Sequence, residues 1–273
     1  MDRAQPRRST RSSRAGIGTA ASACAGALFL ALLVLPLLSL LIRTPPADLA
    51  RRLSSPVVTE ALTLSLITTT ASTLAIVILG LPVVYLLAMR EFPGKRFLEV
   101  VIDMPMVLPP TVAGVGLLLA FGRTGLAGRA LAALGITVPF TTLAVVLAQM
   151  FVAGPFLINT VRAGFEEVDP RYLNAAATLR ASPAYTFLHV VLPLSYPALF
   201  AGAAMTWARA LGEFGATITF AGNLPGRTQT MPLAVYIALE SNLDVAVALS
   251  VILLLVSFSL LLALRSIRHT VRG

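Results

Sequence analysis

Long apolar segments separated by short polar ones make up most of this chain. Six of them are long enough to cross the roughly 30 Å hydrocarbon core of a bilayer, which takes about 20 apolar residues in a helix. They cover residues 15–42, 61–89, 104–122, 140–161, 190–211 and 245–264. A helix satisfies its own backbone N–H and C=O groups, as a bilayer requires. The pattern predicts an all-α integral membrane protein with six transmembrane helices.

Three interruptions are predicted within or between these segments. Pro109-Pro110 removes two backbone donors from the third segment, so that helix should break or kink there. A turn is expected over residues 135–139, before the fourth segment. After the fifth segment the chain is too rich in glycine to continue as one helix, and residues 231–239 are expected to form a short interfacial helix.

The composition agrees with a membrane protein. The chain is 57% hydrophobic and only 12% charged, whereas a soluble domain is about 45–50% apolar and about 25% charged. A net charge of +9 would suggest a nucleic-acid partner for a soluble chain. Here the basic residues lie between the apolar segments. Membrane topology therefore explains the charge, and no nucleic-acid partner is expected.

The distribution of basic residues predicts the side of the membrane on which each loop lies. Fourteen of the 21 Lys and Arg residues lie in the N-terminal tail, in two alternate loops or at the C-terminus. Since basic residues collect in cytoplasmic loops, both termini and residues 166–193 are expected in the cytoplasm. Residues 1–14 are expected to form a disordered basic tail. Residues 15–273 are expected to form one transmembrane domain, with the first helix at 15–42 and the core at 58–266.

Residues that could perform chemistry are scarce in the apolar segments. The single Cys24 and two separated histidines offer neither a disulfide framework nor a Cys-based metal site. Arg209 and Glu213 stand four residues apart near the outer end of the fifth segment, on one helix face where they can pair. They either snorkel together and end the helix or form part of an outer gate. We therefore predict no enzymatic activity, cofactor or metal for this chain.

The loop of residues 166–193 is the longest polar interruption in the membrane-embedded part of the chain. Asp169 precedes a proline and signals a helix start, because its side chain can cap free N–H groups. Residues 172–179 then predict a short helix with small residues on one face, and Ser182 begins a second. Two short helices joined by a bend suit docking into another protein's groove. An amphipathic connector among the lipid headgroups is the alternative.

This loop resembles the "EAA" loop of ATP-binding-cassette importer permeases. The match consists of Asn174-Ala175-Ala176, Arg180 after three further residues, and Val190-Val191-Leu192-Pro193 after nine more. In that family the loop forms the coupling helix, which sits in a cleft of a cytoplasmic ATPase. The resemblance implies that the ATPase is contacted by Asp169, Asn174, Ala175, Ala176, Leu179 and Arg180.

Two positions depart from the family pattern. Asn174 stands where the family has Glu, and Arg180 stands where it has the Gly that bends the chain between the two short helices. An Arg at positive φ costs about 1 kcal/mol or more. Either Arg180 accepts this strain or the bend is made elsewhere, for example at Ser182-Pro183. Whether the Arg180 side chain also contacts an acidic patch on the ATPase is a separate question.

Further residues are similar to the molybdate and tungstate branch of these permeases. They occupy the stretches 104–114, 209–217, 221–226 and 228–233. Sulfate permeases share much of this pattern, but they usually carry Tyr where this chain has Phe214 and lack its Thr228-Gln229-Thr230. These two features favour molybdate. The resemblance implies a translocation path or gate that includes Pro109, Pro110, Arg209, Gly212, Glu213, Phe214 and Gly215.

The resemblance also implies a type I importer permease fold in a bacterial-type cytoplasmic membrane. The expected partners are a second permease copy in a homodimer, a cytoplasmic ATPase dimer and an extracytoplasmic substrate-binding protein. No GxxxxGK[ST] sequence occurs in the chain, so ATP would be used by a partner subunit. Sulfate or thiosulfate is the alternative substrate. A secondary transporter driven by an ion gradient is the alternative of another class, and it is disfavoured because the apolar segments lack buried carboxylates.

Overall fold

Helices account for nearly all of the structure, as expected where backbone polar groups must be satisfied without water. The computed structural model describes residues 11–272, and no strand occurs in this range. A π-helical turn, Phe187–Val191, lies between α9 and α10 of the following series. In chain order the helices are α1 (Arg11–Arg43), α2 (Pro46–Leu53), α3 (Pro56–Met89), α4 (Lys95–Val107), α5 (Pro110–Phe121), α6 (Gly128–Ala133), α7 (Thr142–Glu166), α8 (Pro170–Thr178), α9 (Pro183–Thr186), α10 (Leu192–Leu194), α11 (Tyr196–Leu211), α12 (Gly215–Ala221), α13 (Met231–Ser241) and α14 (Leu243–Arg272).

Six candidate spans can be counted within the described residues. Four helices are long and apolar enough alone: Ser22–Arg43 within α1, α3, α7, and Leu243–Leu260 within α14. Two bent pairs, α4 with α5 and Pro183–Leu194 with α11, have the same character when each is taken as one span. The count agrees with the six predicted segments. Residues 1–10 of the predicted basic tail lie outside the described part of the chain, and α1 begins at Arg11.

The third predicted segment is broken where its paired prolines stand. α4 ends at Val107, α5 begins at Pro110, and the two helix axes differ by 118°. Proline suits the first turn of α5, where an N–H would have no partner within the helix. Its ring also removes the donor that a continuous helix would need. The predicted break at Pro109-Pro110 is confirmed.

The predicted turn at residues 135–139 is confirmed as well. No helix is assigned between α6 and α7, and Gly135 has a φ of 74°. Thr141 then caps α7, since its hydroxyl accepts a hydrogen bond from the N–H of Ala144 at 3.3 Å. A capped start fixes where the central helix of the protein begins.

α7 lies at the centre of the fold and packs against α3, α4, α5, α11 and α12. α11 approaches so closely that a Cβ added at Gly164 would collide with Ala198. Ser195 Oγ donates a hydrogen bond to the Gly164 carbonyl at 3.1 Å across the same contact. Leu157 and Val161 are completely buried. Small residues at helix crossings let backbones approach closely, and tight packing drives helix association in membranes.

The short helix expected at residues 231–239 is present. It forms part of α13, which packs against α3 and α14. Met231 and Leu233 are completely buried within this packing. The N-terminal half of α13 therefore contributes to the protein interior, and its position relative to the membrane surface stays a prediction.

The central position of α7 makes a prediction about stability. Leu157→Ala should lower the free energy of unfolding by about 2–5 kcal/mol, because truncation of a buried leucine leaves a cavity. The matched control is Leu143→Ala on the same helix, since Leu143 is 48% exposed. Thermal unfolding of the detergent-solubilised protein measures both variants. Equal loss of stability for the two would contradict the assignment of α7 as the packing centre.

Candidate functional site

The coupling loop, residues 166–193, begins with a capped helix. Asp169 is the N-cap of α8, and its Oδ1 accepts a hydrogen bond from the N–H of Arg171 at 2.9 Å. The Arg171 side chain donates from Nε to Asp169 Oδ2 at 2.8 Å. The hydrogen bond from the Arg171 side chain, followed by the one from its backbone N–H, holds the pKa of the Asp169 carboxyl below its ordinary value. A carboxyl group whose pKa is lowered by folding stabilises the folded state above its unfolded pKa, and this contribution is lost as pH falls through the lower, folded pKa. The Asp169 cap is therefore intact at neutral pH.

α8 ends in a left-handed bend at Arg180, where the "EAA" loop that it resembles has glycine. Arg180 has a φ of 57°. Its N–H donates to the carbonyl of Ala177 at 3.0 Å, and the N–H of Ala181 donates to the carbonyl of Ala176 at 3.0 Å. These two bonds are the pattern of a Schellman motif, which normally places Gly at the left-handed position. Arg180 therefore accepts the strain, and the bend is not moved to Ser182-Pro183.

The second half of the loop is anchored to the protein interior. Ser182 Oγ accepts from the N–H of Tyr185 at 3.2 Å and caps α9. The ring of Phe187, in the π-helical turn, makes edge contacts with Tyr85 of α3 at 4.8 Å and with Phe165 of α7 at 5.7 Å between centroids. Such aromatic pairs add stability beyond the area they bury. The coupling loop is therefore attached to α3 and α7 and is not an independent surface helix.

A groove of about 650 Å³ lies between the two short helices of the coupling loop. Leu179 at its edge is 82% exposed, whereas Ala176 at its base is 8% exposed. The groove unites four of the predicted coupling residues but includes neither Asn174 nor Asp169. It is lined by Tyr172, Ala175, Ala176, Leu179, Arg180, Ala181, Ser182, Tyr185 and Val190.

A second candidate region is the junction where α5 meets the break between α11 and α12. α5 and α12 pack closely at this point. A Cβ added at Gly215 would lie 2.7 Å from Pro110 Cβ, so only glycine allows this approach. The structure thus places the predicted gate residues Pro110 and Gly215 in contact. Pro109 and Gly212, also predicted, are exposed at the ends of their helices.

Arg209 and Glu213 pair as predicted, at the C-terminal end of α11. Arg209 Nη1 lies 2.9 Å from Glu213 Oε2, and Glu213 Oε1 accepts from the N–H of Ala216 at 2.9 Å. The Glu213 side chain is 1% exposed and that of Arg209 is 31% exposed. A carboxylate at the N-terminus of α12 is favourable, because free N–H groups there need acceptors. Snorkelling is therefore wrong for Glu213, whose carboxylate is held inside the protein.

The pair is surrounded by buried clusters that include residues inside α7. Ala210, which lies between the two residues, belongs to the same buried cluster as Ala153 of α7. Ala216, which follows the pair, belongs to the cluster of Ala148. Ala148 and Ala153 lie six and eleven residues inside α7, counted from its start at Thr142. α11 ends at Leu211, and α12 begins at Gly215 after a short break. The periodicity of the sequence did not reveal this break.

Phe214 and the Thr228-Gln229-Thr230 stretch have internal contacts. The Phe214 ring lies 5.0 Å from that of Tyr236 between centroids. Thr228 Oγ1 accepts from the N–H of Leu224 at 2.9 Å, and Thr228 and Thr230 are buried. Thr228 therefore helps to hold the segment between α12 and α13 in place, whereas the Thr230 hydroxyl is buried without a hydrogen-bond partner among the described residues.

A line of hydroxyl groups on α3 is a feature that the sequence analysis missed. Its members are spaced by three and four residues, a helical spacing visible in the sequence, and all are buried. Gln149 of α7 donates from Nε2 to Thr68 Oγ1 at 3.3 Å and to Thr69 Oγ1 at 3.5 Å. Hydrogen bonds of this kind join membrane helices. The line consists of Ser65, Thr68, Thr69, Ser72 and Thr73.

The sequence analysis also missed the ionisable residues of α4. Arg162 of α7 bonds Glu99 of α4 at 2.9 Å and Glu166 at 2.7 Å. One helical turn further from the coupling loop, Asn159 donates to Asp103 Oδ1 at 2.7 Å. Asp103 directly precedes the predicted third segment, so an earlier start for that segment would have included it. No group of three or more His, Cys, Asp or Glu that could hold a metal occurs among the described residues.

Comparison with known proteins places these features in a family. Residues 76–272 match the family described as the binding-protein-dependent transport system inner membrane component. The chain is 43% identical over 235 residues to the molybdenum transport system permease protein ModB of Mycobacterium tuberculosis, covering 86% of this chain and 88% of that protein. It is 34% identical over 241 residues to the sulfate transport system permease protein CysT of Escherichia coli, covering 87% of each.

The fold is shared with a solved transporter structure. The chain superposes with a TM-score of 0.79, at 13% identity, on a bacterial ABC transporter involved in the import of the acidic polysaccharide alginate, covering 95% of this chain and 97% of that one. The architecture is thus that of a type I ABC importer permease, a membrane transport component. The chain belongs to the family of binding-protein-dependent transport system inner membrane components.

The left-handed conformation of Arg180 makes a prediction about the coupling loop. Arg180→Gly should leave amide hydrogen exchange in α8 unchanged or slow it by up to about fivefold, because relief of about 1 kcal/mol of strain corresponds to that factor. Ala177→Gly is the matched control, since Ala177 is an exposed residue in the last turn of α8. It should speed exchange by a similar factor, because glycine destabilises a helix relative to alanine. Faster exchange in Arg180→Gly would contradict the strain.

Proposed function

We propose that this chain is the membrane-spanning permease subunit of an ATP-driven importer of molybdate or tungstate. The observation that carries the proposal is its 43% identity to a molybdenum transport permease over 86% of the chain, compared with 34% for a sulfate permease. Phe214 and Thr228-Gln229-Thr230 support the same choice. Sulfate or thiosulfate remains the second candidate, because the sulfate permeases share most of the aligned length.

The proposed assembly has three kinds of partner. Two copies of this chain enclose the path, a dimeric ATPase docks on the coupling loops, and an extracytoplasmic binding protein delivers the anion. The excess of basic residues on the side of the termini supports a cytoplasmic position for both termini and for the coupling loop, within a bacterial-type cytoplasmic membrane. ATP is then bound and hydrolysed by the partner.

The α11–α12 junction suits the passage of an anion rather than its capture. Arg209 keeps 31% of its side chain accessible while its charge is balanced by the buried Glu213. An unbalanced cation in a site of low dielectric constant would hold a dianion strongly. With the carboxylate beside it, the guanidinium can meet a passing oxyanion without retaining it. High affinity then belongs to the separate binding protein.

Arg180 supports docking of the ATPase at the coupling loop. Its side chain has no ion pair or hydrogen bond within residues 11–272. Strained residues persist where their side chains serve a function, and glycine would occupy this position without steric cost. We therefore place the Arg180 guanidinium against an acidic group of the ATPase, with Leu179 and Ala175 forming the apolar part of the contact.

This docking makes a prediction about ATPase affinity. Leu179→Glu should weaken binding at least tenfold, because it places a charge in an apolar contact. Arg180→Gly should weaken binding severalfold at low salt and less at high salt, since salt screens the attraction. Leu126→Glu is the control, because Leu126 is a fully exposed leucine outside the coupling loop. Ala176 is a poorer site to test, because it is 8% exposed and a Glu there would disturb the chain itself.

Binding of purified ATPase to inside-out and right-side-out vesicles measures these effects and the sidedness together. Binding to inside-out vesicles alone is expected for a cytoplasmic coupling loop. Unchanged affinity of Leu179→Glu would contradict the docking face. Binding to right-side-out vesicles would contradict the topology.

The substrate assignment predicts which binding protein activates the complex. In proteoliposomes that contain this chain and its ATPase, ATP hydrolysis should rise severalfold with molybdate- or tungstate-loaded binding protein. The same binding protein without anion is the control. Stimulation only by a sulfate-loaded binding protein would reject molybdate while retaining the permease function. Uptake without ATP, driven by an ion gradient, would reject the ATP-driven mechanism.

A further inference from the structure

Asp103 is an ionisable residue inside the bent α4–α5 pair that has no cationic partner. Its carboxylate accepts a hydrogen bond from the side-chain amide of Asn159 on α7 at 2.7 Å. Asp103 is half-buried and Asn159 is exposed. No Lys or Arg side chain forms a salt bridge with Asp103 within residues 11–272. A carboxylate in such a place is a candidate for function, because unpaired charges are costly in a bilayer.

The pair lies well inside the span when measured along both helices. Asp103 is eight residues from Lys95, the start of α4, and Asn159 is seven residues from Glu166, the end of α7. At a rise of 1.5 Å per residue these separations are roughly 10–12 Å. The ion pairs of Arg162 lie between Asn159 and the coupling loop. The pair is therefore deeper than the charged ends of the two helices.

The exposed side of this pair must face water. Against lipid, an unpaired carboxylate and an amide would both lose their hydration. At a contact with a second copy, the carboxylate would be desolvated and would require a cation from the partner. A water-filled path avoids the cost and the requirement. Val101, on the opposite side of α4, is exposed and apolar as a lipid-facing residue should be.

We propose that Asp103 and Asn159 line the half of the translocation path nearer the coupling loop, where the Asp103 carboxylate repels the transported anion and promotes its release. The repulsion rests on the proposed transport of an oxyanion, whereas the position in the path does not. Asn159 is a positioning residue in this proposal, since its amide holds the carboxylate against α7.

The position of Asp103 makes the electrostatic potential differ between the two ends of the proposed path. Residues beside the balanced Arg209–Glu213 pair share buried clusters with Ala148 and Ala153 of α7, whereas Asp103 bonds Asn159, which lies further toward the coupling loop. An anion that has passed Arg209 then meets the negative potential of the Asp103 carboxylate, which disfavours rebinding. Water and salt screen this repulsion over about 8 Å, so it acts only near Asp103. The repulsion therefore lowers the occupancy of the path by the anion more than it obstructs the anion's passage.

Cysteine accessibility tests the position. With Cys24 replaced by Ser, Asn159→Cys and the control Val101→Cys are treated in the assembled complex, in inside-out vesicles, with charged, membrane-impermeant methanethiosulfonates. Asn159→Cys should react and Val101→Cys should not. The cationic reagent should react about fivefold faster than the anionic one, because a carboxylate a few ångströms away attracts one and repels the other. Asp103→Asn should abolish that difference.

Product inhibition tests the role of the carboxylate. In proteoliposomes, Asp103→Asn should make transport sensitive to molybdate on the coupling-loop side at an about fivefold lower concentration than in the parent. Failure of Asn159→Cys to react would overturn the position in the path, and unchanged product inhibition would overturn the repulsion. If Asn159→Cys does not fold, Asp103→Cys must react instead. The labelling uses no transported anion, so it stands even if the molybdate assignment fails.

Discussion

Backbone groups inside a bilayer have no water to bond, and this constraint determines how the helices of this chain can be broken. At the break between α4 and α5, Pro110 brings no N–H that would need a partner. At the break between α11 and α12, Glu213 accepts from the N–H of Ala216 at 2.9 Å. At the start of α13, Ser65 Oγ accepts from the N–H of Met231 at 2.7 Å. Each break is held by the protein itself, so the segments that surround the candidate path have defined positions.

The same interior holds the coupling loop. Phe187 contacts rings on both α3 and α7, and Val168 and Val191 belong to the buried cluster that contains Leu157. A displacement of α8 by a partner would therefore be transmitted to α3 and α7, the two helices that pack most extensively against each other, through side chains already in contact. Apolar side chains in close contact transmit displacement because protein interiors have little free volume.

Features that depend on neighbouring residues could be predicted from the sequence, and those that depend on distant ones could not. Paired prolines predicted the α4–α5 break, and apolar length predicted the six candidate spans. The φ of Arg180 stayed open because local preference disfavours it, and two hydrogen bonds from the bend to α8 decide it. The burial of Glu213 requires that α11 stop halfway along α7. Asp103 and Asn159 meet across 56 residues of sequence, which no local pattern indicates.

The spacing of Arg209 and Glu213 also bears on how the fifth span enters the membrane during synthesis. A single charge at the centre of a helix opposes insertion by about 2.5–3.5 kcal/mol. Since the two residues are four apart, each can neutralise the other within one segment, before any other helix is available. Loss of either residue would leave the other uncompensated at the moment of insertion.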